Sequence, residues 1–205
     1  KTVHLEYGTP TAINAGTACY FMAPLLAGVG ELPVAVQAKV YDLYFDCLRA
    51  GHAGQGLDII GLDQMMPAAV ETGDVTAIHD ALKAIHVYKT GGACGTLMAM
   101  ACAICGAEEK QAIALENFGV AIGLAFQIVD DALNLRGFDG DLKEVGEDIR
   151  EGKITYPVCK AMARLSKYDR QYIWTILKEK TTDQGKILSV ISKINSVGGI
   201  TDCLL

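Results

Sequence analysis

Prolines, histidines and basic runs are scarce in this sequence. Among 205 residues there are 5 prolines, 4 histidines and a single tryptophan. So little proline, with 22 glycines that follow no repeat, excludes a collagen-like chain. Lysine and arginine total 18 against 24 acids, a net charge of −6. Lacking a basic run, a chain this acidic is not built to hold nucleic acid through its phosphates. Any anion it binds must be gripped locally, by a few lysines or through a metal. No segment alternates apolar and polar residues between turn signals, which argues against a sheet architecture. A hydrophobic fraction of 51% excludes disorder.

The seven cysteines are odd in number, and Cys19, Cys47, Cys94, Cys102 and Cys105 sit in apolar, helical-looking context. That usage reads as a reduced, intracellular protein and points to the cytoplasm. Cys102 and Cys105 form a lone C-x-x-C. Zinc wants four ligands and no second Cys or His pair stands at ligand spacing, so buried thiols on one helix face are expected. No signal region or Arg-rich leader is visible. The uncharged stretch Thr90 to Ala107 reaches the lower length limit for a membrane span. Its small residues and lack of aromatic anchors point instead to a packed internal helix, and no membrane span is expected.

What is present reads as helix throughout. Thr9-Pro10 looks like an N-cap followed by proline in the first turn, opening a helix to about Gly28. Pro33 opens a second to about Ile60, and Thr76 a third to about Gly106. Glu108-Glu109 open a fourth, to about Arg136, with acids in the favoured first turn. A polar loop from Gly137 to Gly152 follows, then helices near Ile154–Leu165, Asp169–Lys178 and Gly185–Ser196. Gly51, Gly54 and Gly56 fall inside the second helix, and Gly91, Gly92 and Gly95 inside the third. Each costs ~1 kcal/mol relative to alanine, which predicts close backbone approach to a neighbouring helix or a ligand.

The fourth helix carries the sharpest chemical signal. In Phe126 to Asn134, Asp130 and Asn134 are four apart and Gln127 lies one turn back on the same stripe. Gly123 and Gly119 continue that stripe, which predicts a cavity wall. Adjacent aspartates, Asp130 and Asp131, repel each other, and burial makes each charge costly. A divalent cation resolves both problems, and oxygen-only donors favour magnesium over zinc. An alternative di-iron bundle expects Glu-x-x-His pairs, and none occurs.

The run FQIVDDALN, followed by GEDIREGKITYP (Gly146 to Pro157), resembles the second aspartate-rich region of trans-prenyl diphosphate synthases, the polyprenyl synthetase family. YGTPTAINAG (Tyr7 to Gly16), GQGLDI (Gly54 to Ile59) and YKTGG (Tyr88 to Gly92) look like the family's other landmarks, in the family's order. Asn134 in place of the commoner aspartate is similar to geranylgeranyl-type members, including the prenyltransferase part of fungal chimeric terpene synthases. The resemblance implies an all-α isoprenoid-synthase bundle around a central cavity, forming a homodimer or higher homo-oligomer. It implies magnesium-dependent ionisation of an allylic prenyl diphosphate and its condensation with isopentenyl diphosphate to a longer prenyl diphosphate.

By the same resemblance, Asp130 would ligate magnesium, with Asp131 and Asn134 in its immediate or next shell. Lys89 would contact the diphosphate, with Thr90 beside it, and Lys143 and Lys153 would be the lysines after the acidic region. Gln55, Asp58 and Gln127 would line the cavity. The departure is an absence: the family's first aspartate-rich region precedes the YGTP-like block, which here begins at Tyr7. The bundle is therefore expected to lack its N-terminal helices and to hold one readable magnesium and diphosphate half-site. The 205 residues are then the retained part of a longer polypeptide, inactive alone. Two alternatives stay open: a prenyl-synthase-like terpene cyclase, which ignores isopentenyl diphosphate, and a non-catalytic synthase-like subunit.

Overall fold

The computed structural model describes residues 1–26, 28–137 and 145–205; the sequence-predicted Lys143 lies outside them. Every regular element among the described residues is helical. The order is α1 (Val3–Tyr7), α2 (Thr9–Leu26), α3 (Val34–Ile60), α4 (Met66–Thr72) and α5 (Thr76–His86). A π-helical turn (Val87–Gly91) then leads into α6 (Gly92–Cys105). After these come α7 (Glu109–Arg136), α8 (Glu147–Glu151), α9 (Tyr156–Met162), α10 (Lys167–Glu179) and α11 (Gln184–Ser196).

The long elements start and stop where local chemistry directs. Pro33 caps α3 in an extended conformation, and Glu108 with Gln111 closes a capping box on α7. The expected unbroken helix from Thr76 to Gly106 is interrupted at its middle by the π turn. Helices α1 and α4 are additional, as is α8 within the expected loop. Prolines do not prevent α4, because Pro67 sits in its first turn, where an amide hydrogen has no intrahelical partner.

The core lies in the C-terminal part of the chain. Met66 of α4, Ile78 of α5, Leu135 of α7, Ile149 of α8, Met162 of α9, Leu177 of α10 and Ile187 of α11 are fully or almost fully buried in one cluster. By contrast, Leu5, Ile13, Phe21 and Leu25 of α1 and α2 are exposed. Two stretches, Thr9–Glu31 and Glu109–Arg136, are long and apolar enough to cross a membrane by length and composition alone. In α7, however, acids and amides crowd the C-terminal turns and glycines pack the middle against a neighbour, as suits a bundle helix.

Those glycines make the seam between α6 and α7. A Cβ on Gly119 would stand 2.7 Å from the carbonyl oxygen of Cys94, and one on Gly123 would stand 2.7 Å from Cα of Gly91. The two backbones therefore meet directly, and the expectation that Gly119 and Gly123 line a cavity is corrected: only the far end of their stripe does. Gly54 of α3 meets the π turn in the same way, 2.7 Å from the Lys89 nitrogen. Gly51 and Gly56 face open space, so close approach is not their reason. Cys102 is buried and Cys105 exposed, which separates the two thiols expected on one face.

Candidate active site

The π turn sets the first half of the site. Its widened backbone carries Lys89 and Thr90 past α3 on one side and α7 on the other. The Lys89 ammonium donates to Asp58 Oδ2 of α3 at 2.6 Å, and the Thr90 hydroxyl donates to Gln127 Oε1 of α7 at 3.1 Å. Inserted turns of this kind recur at functional sites because they re-aim side chains without ending the helix.

The C-terminal turns of α7 set the second half. Asp131 is buried; its Oδ2 accepts from the backbone N–H of Tyr156, and its Oδ1 faces the Gln127 amide at 3.4 Å. Its carboxylate thus serves the N-terminus of α9, where Thr155 provides no side-chain cap. Asn134 is buried as well, and its Oδ1 accepts from the Asp148 N–H at 3.1 Å while its carbonyl accepts from Gly146. Asn134 therefore holds the start of α8, and α8 brings Asp148 and Glu151 to face Asp130. Lys153 follows directly, 2.6 Å from Glu151 Oε2 and 3.7 Å from Asp148 Oδ1.

Lys89, Asp130, Asp131, Asn134, Gln127, Lys153 and Asp58 all line one cavity of about 210 Å³, together with His86, Asp148 and Glu151. A second chamber of about 320 Å³ shares Asp58, Lys89, Glu151 and Lys153 with it and adds Gln55. Thr90 is absent from both linings and is joined to the cavity wall by its hydrogen bond to Gln127. Of the residues expected from sequence, the fold thus collects all the described ones into one neighbourhood, with Gln55 and Thr90 at its margins.

Electrostatics divides the site. Burial pushes the Asp131 carboxyl up to about 7, against the pull of the Tyr156 N–H. Burial also raises Asp148; Lys153 opposes the rise, while Glu151 and Asp130 add to it. At Lys153 burial disfavours the charge, but the hydrogen bond to Glu151 and the nearby acids outweigh it and hold the ammonium above its ordinary value. His86, 3.6 Å from Asp131 Oδ2 and tilted against the Tyr156 ring, is pushed down to about 4 by burial and stays neutral.

Carboxylates that raise one another in a half-enclosed pocket fit a hard divalent cation, which would relieve that repulsion. Among the described residues, no three His, Cys, Asp or Glu side chains form a ready-made metal cluster. Asp130 and Asp148, which both line this cavity, are the carboxylates that could hold such a cation.

Sequence reasoning missed Asp148 and His86 as site residues. Asp148 sits among acids that look like a solvated loop, and only the clamp from Asn134 turns it inward. His86 lies one helical turn before Lys89, the single clue to a shared face.

Residues 1–194 match the polyprenyl synthetase family. The chain is 29% identical over 191 residues to a geranylgeranyl diphosphate synthase of Sulfolobus acidocaldarius, spanning 92% of this chain and 55% of that enzyme. It is 37% identical over 180 residues to a short chain isoprenyl diphosphate synthase of Methanothermobacter thermautotrophicus, spanning 85% and 51% respectively. A solved geranylgeranyl pyrophosphate synthase shares the fold with a TM-score of 0.82 at 24% identity, covering 100% of this chain and 60% of that one. The chain therefore spans about half the length of these curated relatives.

Proposed function

The chain belongs to the polyprenyl synthetase family, and from that premise we propose that it carries half of a prenyltransferase active site. The reaction joins an allylic prenyl diphosphate to isopentenyl diphosphate, giving a longer prenyl diphosphate of the geranylgeranyl class and releasing pyrophosphate. The observation that carries this reading is one cavity lined by both Lys89 and Asp130, from elements far apart in the chain.

In this reading Lys89 and Lys153 bind oxygens of the allylic diphosphate and stabilise the charge that develops as the bond to carbon breaks. Asp58 and Glu151 keep the two ammonium groups at the cavity while it is empty of substrate. Asp130 and Asp148 would hold magnesium, which when bound would supply electrostatic stabilisation of the departing diphosphate. Asp131 and Asn134 position that pair by fixing α9 and α8, and Gln127 couples the π turn to α7 through Thr90. Leu82, Ile85 and Ile154 line the cavity with apolar surface and limit water around the allylic cation. Lys143, outside the described residues, is proposed as a further diphosphate contact. The working enzyme is proposed to be a homodimer or higher homo-oligomer in a reducing, cytoplasmic compartment, in keeping with seven free cysteines.

Radiolabelled isopentenyl diphosphate tests the reaction. The intact protein should incorporate label into a longer prenyl diphosphate only with an allylic partner and magnesium present. Consumption of the allylic diphosphate at the same rate without isopentenyl diphosphate would instead identify a cyclase.

A further inference from the structure

We propose that Lys180, at the C-terminal end of α10, is a third diphosphate-binding cation, lining the outer chamber together with Lys89 and Lys153. This rests on the diphosphate site proposed above and adds to it a residue from a helix that none of the sequence motifs touches.

Three observations converge on it. Lys180 lines the 320 Å³ chamber together with Lys89 and Lys153. Its backbone is left-handed, with φ 46° and ψ 51°, and among the described residues it is the one non-glycine residue at positive φ. A side chain in that conformation costs free energy, and such strain gathers where a side chain must be aimed. The third observation is its support. A Cβ on Gly152 would stand 2.6 Å from the Leu177 carbonyl oxygen and 3.1 Å from Lys180 Cγ. Glycine at 152 thus lets the end of α10 settle onto the residue preceding Lys153 and lays the Lys180 stem across it.

Among the described residues the charge of Lys180 is also unpaired. Lys89 is paired with Asp58, and Lys153 with Glu151. No carboxylate among the described residues lies within 4.0 Å of the Lys180 ammonium, although Asp63 stands elsewhere on the chamber wall. A long lysine side chain on a chamber wall, unpaired among the described residues, is suited to a phosphate oxygen and is insensitive to what lies beyond the phosphate. The ligand chemistry is therefore a diphosphate group, either on the incoming allylic substrate or as the released pyrophosphate. The competing role is purely local: a lysine ending α10, favourable to the helix dipole and nothing more.

Calorimetric titration of the intact protein with inorganic pyrophosphate and magnesium separates these roles. Lys180→Ala should weaken binding roughly three- to tenfold, Lys180→Arg should restore most of it, and the loss should shrink at high salt. Lys180→Gly relieves the strained backbone. It should raise the melting temperature by about 2–4 °C yet bind pyrophosphate as weakly as the alanine variant. A glycine or alanine variant that binds like the unmodified protein overturns the proposal and leaves the site intact. No pyrophosphate binding by the unmodified protein overturns this proposal and the diphosphate site together. Kinetics then identify the source: a raised KM for the allylic diphosphate assigns the contact to substrate. A raised inhibition constant for pyrophosphate alone assigns it to product.

Discussion

The ammonium of Lys89 lies 2.6 Å from Oδ2 of Asp58, tying the π turn to the last turns of α3. Both groups are partly exposed to the cavity, so the pair is a holding arrangement that an incoming anion can enter. Lys89→Ala should lower turnover by roughly 10²–10³ in the intact protein, the loss typical of one group aimed at developing charge. Asp58→Asn keeps the lysine and removes only its tether, so its effect on turnover should be smaller by at least about tenfold. Steady-state kinetics at saturating magnesium compare the two. Equal losses would mean that Asp58 has a role in the reaction beyond holding Lys89.

Asp130 and Asn134 share a stripe but should fail differently. Asp130→Ala removes a carboxylate from the cavity and should depress turnover strongly. Asn134→Ala leaves the N–H of Asp148 without its acceptor, which costs ~1–3 kcal/mol of stability. Urea unfolding together with turnover checks both, and a turnover loss for Asn134→Ala as deep as that for Asp130→Ala would argue for direct ligation by the amide.

Glycines predict a contrast that sequence position alone does not. Gly119→Ala and Gly123→Ala drive a Cβ into the backbone of α6 or the turn before it and should destabilise by ~1–3 kcal/mol. Gly51→Ala and Gly56→Ala meet nothing within 4 Å and should be neutral or stabilise by up to ~1 kcal/mol. Thermal unfolding of the four variants ranks them; a destabilised Gly56→Ala would mean that the face is covered in the intact protein.

The buried His86 and Asp131 set opposing pH dependences. Asp131 is raised from 3.8 to about 7, so the folded state keeps a proton that the unfolded chain releases. Its contribution to stability is complete below pH 3.8 and is lost as pH rises through about 7. His86 is lowered from 6.5 to about 4, so its contribution is complete above pH 6.5 and is lost as pH falls through about 4. Between pH 4 and 6.5 the two slopes oppose. Relative to the unmodified protein, Asp131→Asn should gain stability as pH rises across that window. Urea unfolding in half-unit steps measures the difference, and parallel profiles would contradict it.

Much of this was legible in the sequence, for physical reasons that differ by element. The starts of α3 and α7 follow from Pro33 and the Glu108 cap, which are local signals. Asp130 stood out because an acid pair interrupts an apolar helix. The π turn left no such mark; Gly54 and Gly91 pack there against neighbours distant in sequence, contacts that no local pattern announces. Gly119 and Gly123 were misassigned because a small-residue stripe looks alike whether it faces a cavity or another backbone. Asp148 was hidden because the start of α8 is held by hydrogen bonds from Gly146 and Asp148 to Asn134, across a loop that carries no local signal of them.

The central claim is that Lys89 and Asp130 serve one magnesium diphosphate, and a double-mutant cycle tests it most directly. Turnover is measured for Lys89→Ala, Asp130→Ala and the double variant of the intact protein. Residues acting on one group are strongly non-additive. The double variant should therefore lose at most about tenfold more than the worse single variant. Losses that multiply in full would contradict a shared site.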